Sequence, residues 1–136
     1  MKSYTDLEQS KKLSEILPLE SADMRYAPFG DTHPWVWTDT FIEKDATPCW
    51  SLAALMNLLP SEFTEKGEYS ETTYRIDIRK YALTDDVDIY QIAYGNYHWH
   101  EDGSCSWSDM VNSGEKEELI DAVFQMICWL KENNKL

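Results

Sequence analysis

Cys49 follows Thr47-Pro48, and that pair reads as the start of a helix, with a hydroxyl N-cap and proline at the first helical position. A thiol at a helix N-terminus feels the positive end of the dipole, which lowers its pKa and raises the share of nucleophilic thiolate. A nucleophile of this kind needs a base and a group to orient the base. His98 or His100, followed by Asp109 or Asn112, supplies those types in chain order. A Cys beside Trp50 and Leu52 also fits a small buried hydrophobe.

His98-x-His100-Glu101 offers a second chemistry. On a strand the two imidazoles project from the same face, as two metal ligands must, and Cys105 or Asp102 across the following turn are candidates for a third. A structural zinc site takes four ligands at recognisable Cys or His spacing. That pattern does not occur, so no metal and no cofactor is expected. Trp35, Trp37, Trp99 and Trp107 are suited to stacking on a sugar ring or a partner's side chains. Trp99 and Trp107 flank a turn at Glu101-Asp102-Gly103, where burial is hard to complete, and with His98 and His100 they form the candidate recognition patch. No glycine-rich phosphate loop and no G-x-S-x-G elbow is present, so nucleotide hydrolysis and serine-hydrolase chemistry have no support.

The elements that must position these residues are led by the C-terminal helix. From Glu115 onward, Leu119, Ile120, Val123, Phe124, Met126, Ile127 and Leu130 fall on one arc. Glu117, Glu118, Asp121, Gln125, Cys128 and Glu132 fall on the other, with Trp129 at the border. Asn112 and Glu115 have capping-box spacing, and Lys131 suits the negative end of the dipole. An apolar arc this broad implies a helix lying across a sheet.

Upstream, Thr5-x-x-Glu8 predicts a first helix with Leu7, Leu13, Ile16 and Leu17 on its apolar face, ended by Pro18. Residues 19–46 carry no stable period. Trp35-Val36-Trp37 and Phe41-Ile42 offer at most a short strand; the aromatics favour a segment that wraps the core, with a functional loop as the alternative. A second short helix runs from Pro48 through Leu52, Leu55, Met56 and Leu59 to Pro60, and Glu62 to Glu71 reads as an acidic connector. Tyr74 to Arg79 alternates as a strand, Val87 to Tyr94 as another, and Gly95-Asn96 as a bulge or bend. Tyr97 to Trp107 completes a hairpin arm. The expectation is a single α+β domain over residues 1–136: a small antiparallel sheet of about three strands packed with a long C-terminal helix and two shorter N-terminal helices.

The 136 residues can bury roughly two thirds of their unfolded surface without help from metal or disulfide. Six Trp and eight Tyr within a 43% hydrophobic chain exclude global disorder. No run is apolar enough to span a bilayer, and Met1-Lys2-Ser3-Tyr4 leads into a polar, charged segment with no apolar h-region, so no secretory signal is expected and the cytoplasm is the simplest location. Three cysteines without a C-x-x-C fit reduced thiols. The formal charge of −13 disfavours direct binding to nucleic acid or an anionic membrane, because both rest on Lys and Arg meeting phosphate. It leaves open a protein that imitates phosphate charge to occupy a nucleic-acid-binding protein's groove.

Two resemblances add expectations. The order Cys49, His98 or His100, Asp109 or Asn112 resembles papain-like cysteine hydrolases, although the flanking glycines of their nucleophile motif are absent and Pro48 precedes the Cys. The stretches Glu8 to Lys12, Ala22 to Met24, Cys49-Trp50-Ser51-Leu52, Leu58-Leu59-Pro60 and Ala122 to Asn133 resemble a family of small proteins from gut Bacteroides-type bacteria and their phages and mobile elements. That resemblance implies a mobile-element origin and no reaction. The reading of the whole is a non-enzymatic protein-interaction or accessory module with a protein partner, as monomer or small homo-oligomer. A cysteine hydrolase using Cys49, His98 and Asp109 and a nucleic-acid-mimicking inhibitor are the alternatives.

Overall fold

A computed structural model describes residues 1–27, 33–36 and 46–136. In chain order these form helix α1 (Leu7–Ile16), a 3-10 turn (Leu19–Ser21), strands β1 (Met24–Tyr26), β2 (Trp35–Val36) and β3 (Thr47–Cys49), helix α2 (Leu52–Leu58), strands β4 (Glu62–Lys66), β5 (Glu71–Thr84), β6 (Val87–Trp99) and β7 (Cys105–Asn112), and helix α3 (Leu119–Glu132). The architecture is α+β with two antiparallel sheets, ordered β2-β1-β3 and β4-β5-β6-β7. The larger sheet has four strands where three were expected, because the acidic connector is itself the edge strand β4, paired with β5 from Glu62↔Arg75 to Lys66↔Glu71. The segment expected to be irregular supplies β1 and β2; Trp37, Phe41 and Ile42 lie outside the described residues. No helix among the described residues is long and apolar enough to cross a membrane.

α1 and α2 begin where a capping side chain is free to act, whereas α3 starts without one. Thr5 is not the cap of α1, because its N–H donates to Trp50 O and its hydroxyl bonds Ser10 inside the core. Asp6 takes the role, accepting from Gln9 N at 2.8 Å while the Gln9 side chain accepts from Asp6 N. Thr47 and Pro48 do not open α2; they lie in β3, at the edge of its sheet, where a proline is tolerated. Ser51 is the cap, its Oγ accepting from Ala54 N. The expected Asn112–Glu115 box is also absent. Asn112 accepts from Gly114 N, Gly114 takes φ +77°, and Lys116 pairs with Tyr90, so α3 starts only at Leu119.

The core lies between the larger sheet and α3. Ile120, Val123, Met126, Ile127 and Leu130 are fully buried against Ile92 and Tyr94 of β6, Phe63 of β4, Leu55 of α2 and Leu13 of α1. Cys128, on the polar arc of the helical wheel, is nonetheless buried. Phe63 gathers Tyr74, Tyr94 and Trp129 around it at centroid distances of 5.1 to 6.0 Å. Lys2 ties the chain start to the start of α3, donating to Asp121 Oδ1 at 2.8 Å and Gln9 Oε1 at 2.9 Å. Burial opposes charge on both partners, but hydrogen bonds to Asp121 and Asp6 hold the Lys2 ammonium above its usual pKa, and those from Lys2 and Gln9 hold the Asp121 carboxyl below its own.

Candidate functional site

The register of the larger sheet sorts its side chains into two faces. Ile76↔Tyr94 and Ile78↔Ile92 share the face toward α3. The alternate residues Arg75, Asp77 and Arg79 of β5, Gly95, Tyr97 and Trp99 of β6, and Cys105 and Trp107 of β7 therefore share the outer face.

Trp107 is the fixed point of that face. Its ring lies across Gly95, so closely that a Cβ on Gly95 would meet Cε2 and Cζ2 at 2.8 Å. This is the use of a glycine within a strand: it lets another group approach the backbone. Trp107 and Asp109, two apart on β7, share a side by strand alternation, and the register slips only beyond them, between Tyr94 and Gly95, where Met110 is the extra residue. Trp107 Nε1 donates to Asp109 at 2.6 Å, and Tyr97 meets the indole edge-on with centroids 5.1 Å apart. Asp109 in turn accepts both terminal nitrogens of Arg79, whose Nε donates to Asp77 and Nη1 to Gln91. The Arg79 guanidinium holds the Asp109 carboxyl below the usual range, and Asp109 first among its partners raises Arg79.

Around this locked centre the other aromatics stand in solvent. Trp99 is 76% exposed and Tyr97 62%. With Thr73, Arg75, Asn96 and Trp107 they line a shallow depression of about 350 Å³. A second, bounded by Arg75, Arg79, Tyr97 and Trp107, adjoins it. The surface is suited to stacking, because two rings are largely exposed and the third is immobilised before any ligand arrives.

The residues expected to bind therefore divide. Trp99 and Trp107 come together, and Tyr97 joins them. His98 lies on the opposite face, opposite Ser106, and His100 bonds Ser106 Oγ at 2.9 Å just past the strand end. Among the described residues no group of three or more His, Cys, Asp or Glu side chains is placed to hold a metal ion. Tyr97, Gly95 and Arg79 were not singled out as binding groups from the sequence. The alternation of β6 and its interior glycine were the available signals.

Cys49 does not occupy a helix N-terminus. It ends β3, is fully buried, and its Sγ donates to Thr5 O at 3.4 Å within a cluster of Thr5, Ser10 and Tyr26. Burial, outweighing hydrogen bonds from its neighbours, pushes the thiol pKa up, away from thiolate. Its hydrogen bonds run to Thr5, and none among the described residues joins it to His98 or His100; Asp109, which borders a depression with His98, is committed to Arg79 and Trp107.

No family model matches the sequence, and comparisons with curated proteins and with solved structures return no significant match.

Proposed function

We propose that this protein is a non-enzymatic interaction module that captures a protein partner on the outer face of the larger sheet, with Trp99 and Tyr97 as the contact residues and Trp107 as their fixed support. The observation that carries this reading is the pairing of two largely exposed aromatic rings with a third locked by Asp109 and Arg79. Exposed aromatics are costly to leave in water and are enriched at interface centres, where they bring large contact area at low entropic cost. The resemblance to small proteins of gut bacteria and their phages and mobile elements suits an accessory role of this kind.

The test is capture of partners from a host lysate by wild-type protein and by Trp99→Ala/Tyr97→Ala, with circular dichroism to establish that the variant is folded. Loss of a specific partner with the fold intact is the expected result. Unchanged capture by the folded double variant refutes this site.

A further inference from the structure

The charges of the outer face restrict the partner's chemistry. Its cations are already opposed by carboxylates: Lys66 by Glu71 at 3.7 Å, Arg75 by Glu62 at 3.4 Å, and Arg79 by both Asp77 and Asp109. The Arg79 group is thus one negative charge in excess. Glu101 and Asp102 follow Trp99 after the single residue His100, in the exposed turn, and no ion pair among the described residues involves either. Asp102 instead accepts from Ser104 N at 2.9 Å, which fixes the turn and leaves its charge uncompensated. The aromatic patch is therefore bordered by surplus negative charge, on a chain whose formal charge is already −13.

Aromatic faces attract cations, and a guanidinium can lie flat on an indole while donating to nearby carboxylates. Trp99 has the exposed ring and the acidic turn beside it. An acidic partner would meet repulsion at the turn and at long range, whereas a basic one is steered toward the site. A neutral apolar partner would leave the carboxylates at the rim without a role.

Resting on the interaction reading above, we infer that the partner presents a basic segment to this face, with an arginine or lysine side chain seated on Trp99 and Tyr97 and paired with the carboxylates of the Glu101–Asp102 turn.

The probe is a ten-residue Arg/Ser peptide, with its Glu/Ser counterpart as control, titrated into the full chain while the indole N–H resonances are followed by NMR. Trp50 is an internal reference, being fully buried with its indole donating to Ser21. The expected result is a saturable shift of the Trp99 resonance with the arginine peptide only, the Trp50 resonance staying fixed. Binding should weaken as ionic strength rises above about 0.15 M. Trp99→Ala should weaken it about two- to fivefold, and Glu101→Gln/Asp102→Asn, which leaves the aromatics intact, should also weaken it and reduce its salt dependence. Equal response to both peptides, response to the glutamate peptide alone, or no response of Trp99 to the arginine peptide overturns the inference. If Trp99→Ala/Tyr97→Ala loses a lysate partner while the arginine peptide leaves Trp99 unmoved, the interaction surface stands and its basic preference falls.

Discussion

Substituting Gly95 by alanine tests both the packing of the sheet and the seat of Trp107. The added Cβ would stand 2.3 Å from the Ser108 carbonyl oxygen and 2.8 Å from two atoms of the Trp107 ring. Favourable contacts between such atoms begin near 3.5 Å, so β7 and the indole must retreat by roughly 1 Å. Gly95 is not among the glycines with positive φ, so alanine meets no backbone penalty of its own and the cost is steric. Overpacking of this kind costs about 1–3 kcal/mol, which for a chain of this length lowers Tm by about 3–10 °C. Thermal unfolding followed by far-UV circular dichroism measures the loss, and tryptophan fluorescence reports the displaced indole. A Tm within about 1 °C of wild type, with unchanged fluorescence, would refute the close approach of β7 to β6. The nearest atom belongs to the backbone, so adding Trp107→Ala should recover only part of the lost stability. Full recovery would assign the conflict to the ring alone.

Asp109→Asn removes the charge that holds Arg79 and leaves Trp107 a weaker, neutral acceptor that can also turn its amide nitrogen toward the indole. It should cost about 1 kcal/mol, since the pair is partly solvated, and change the Trp107 indole resonance; an unmoved resonance would show that Asp109 does not orient the ring. Lys2 and Asp121 link stability to pH at both ends of the range. The lowered Asp121 carboxyl contributes above its ordinary value of 3.8 and loses that contribution as pH falls through its folded value. The raised Lys2 ammonium contributes below 10.5 and loses its share as pH rises through its folded value. Denaturant titrations of wild type and Asp121→Asn should differ by about 1 kcal/mol at neutral pH and converge in acid; a gap that persists in strong acid contradicts the linkage. Cys105 is exposed while Cys49 and Cys128 are buried, with thiols pushed up by burial, so mass spectrometry after alkylation of the native protein should find one modification, at Cys105. Native modification of Cys49 at the rate of Cys105 would contradict its enclosure.

Local pattern made part of this fold legible. The apolar arc of α3 could be read because a helix facing a sheet needs its large side chains on one side, and Ile120, Val123, Met126, Ile127 and Leu130 are buried accordingly. Tyr74 to Arg79 and Val87 to Tyr94 alternated clearly, although both strands extend well beyond those limits. The errors fall where a distant partner decides. Thr47-Pro48 has the chemistry of a helix start, but pairing with Arg25 and Tyr26 extends it. Glu62 to Lys66 looked like a connector because an edge strand buries only one of its residues, Phe63. Cys128 looked solvent-facing because a helical wheel does not show that the arc beside the main stripe is also covered. The nearness of Trp99 and Trp107, and the exposure of Trp99, were legible from their place beside a turn; the half-buried state of Trp107 was not. The Asp109–Arg79 support was not, since its two residues are 30 positions apart and meet only through the sheet register.

The four strands β4 to β7 form a meander whose neighbours are consecutive in sequence, so its contacts close short loops and should form early in folding. Its inner face, carrying Phe63, Ile92 and Tyr94, is covered by α3, which follows the last strand. Until that helix docks, the sheet presents an apolar surface and two open edges to other chains. Folding yield should therefore depend on how quickly α3 docks relative to collisions between half-folded molecules, making concentration during refolding a more severe variable than temperature.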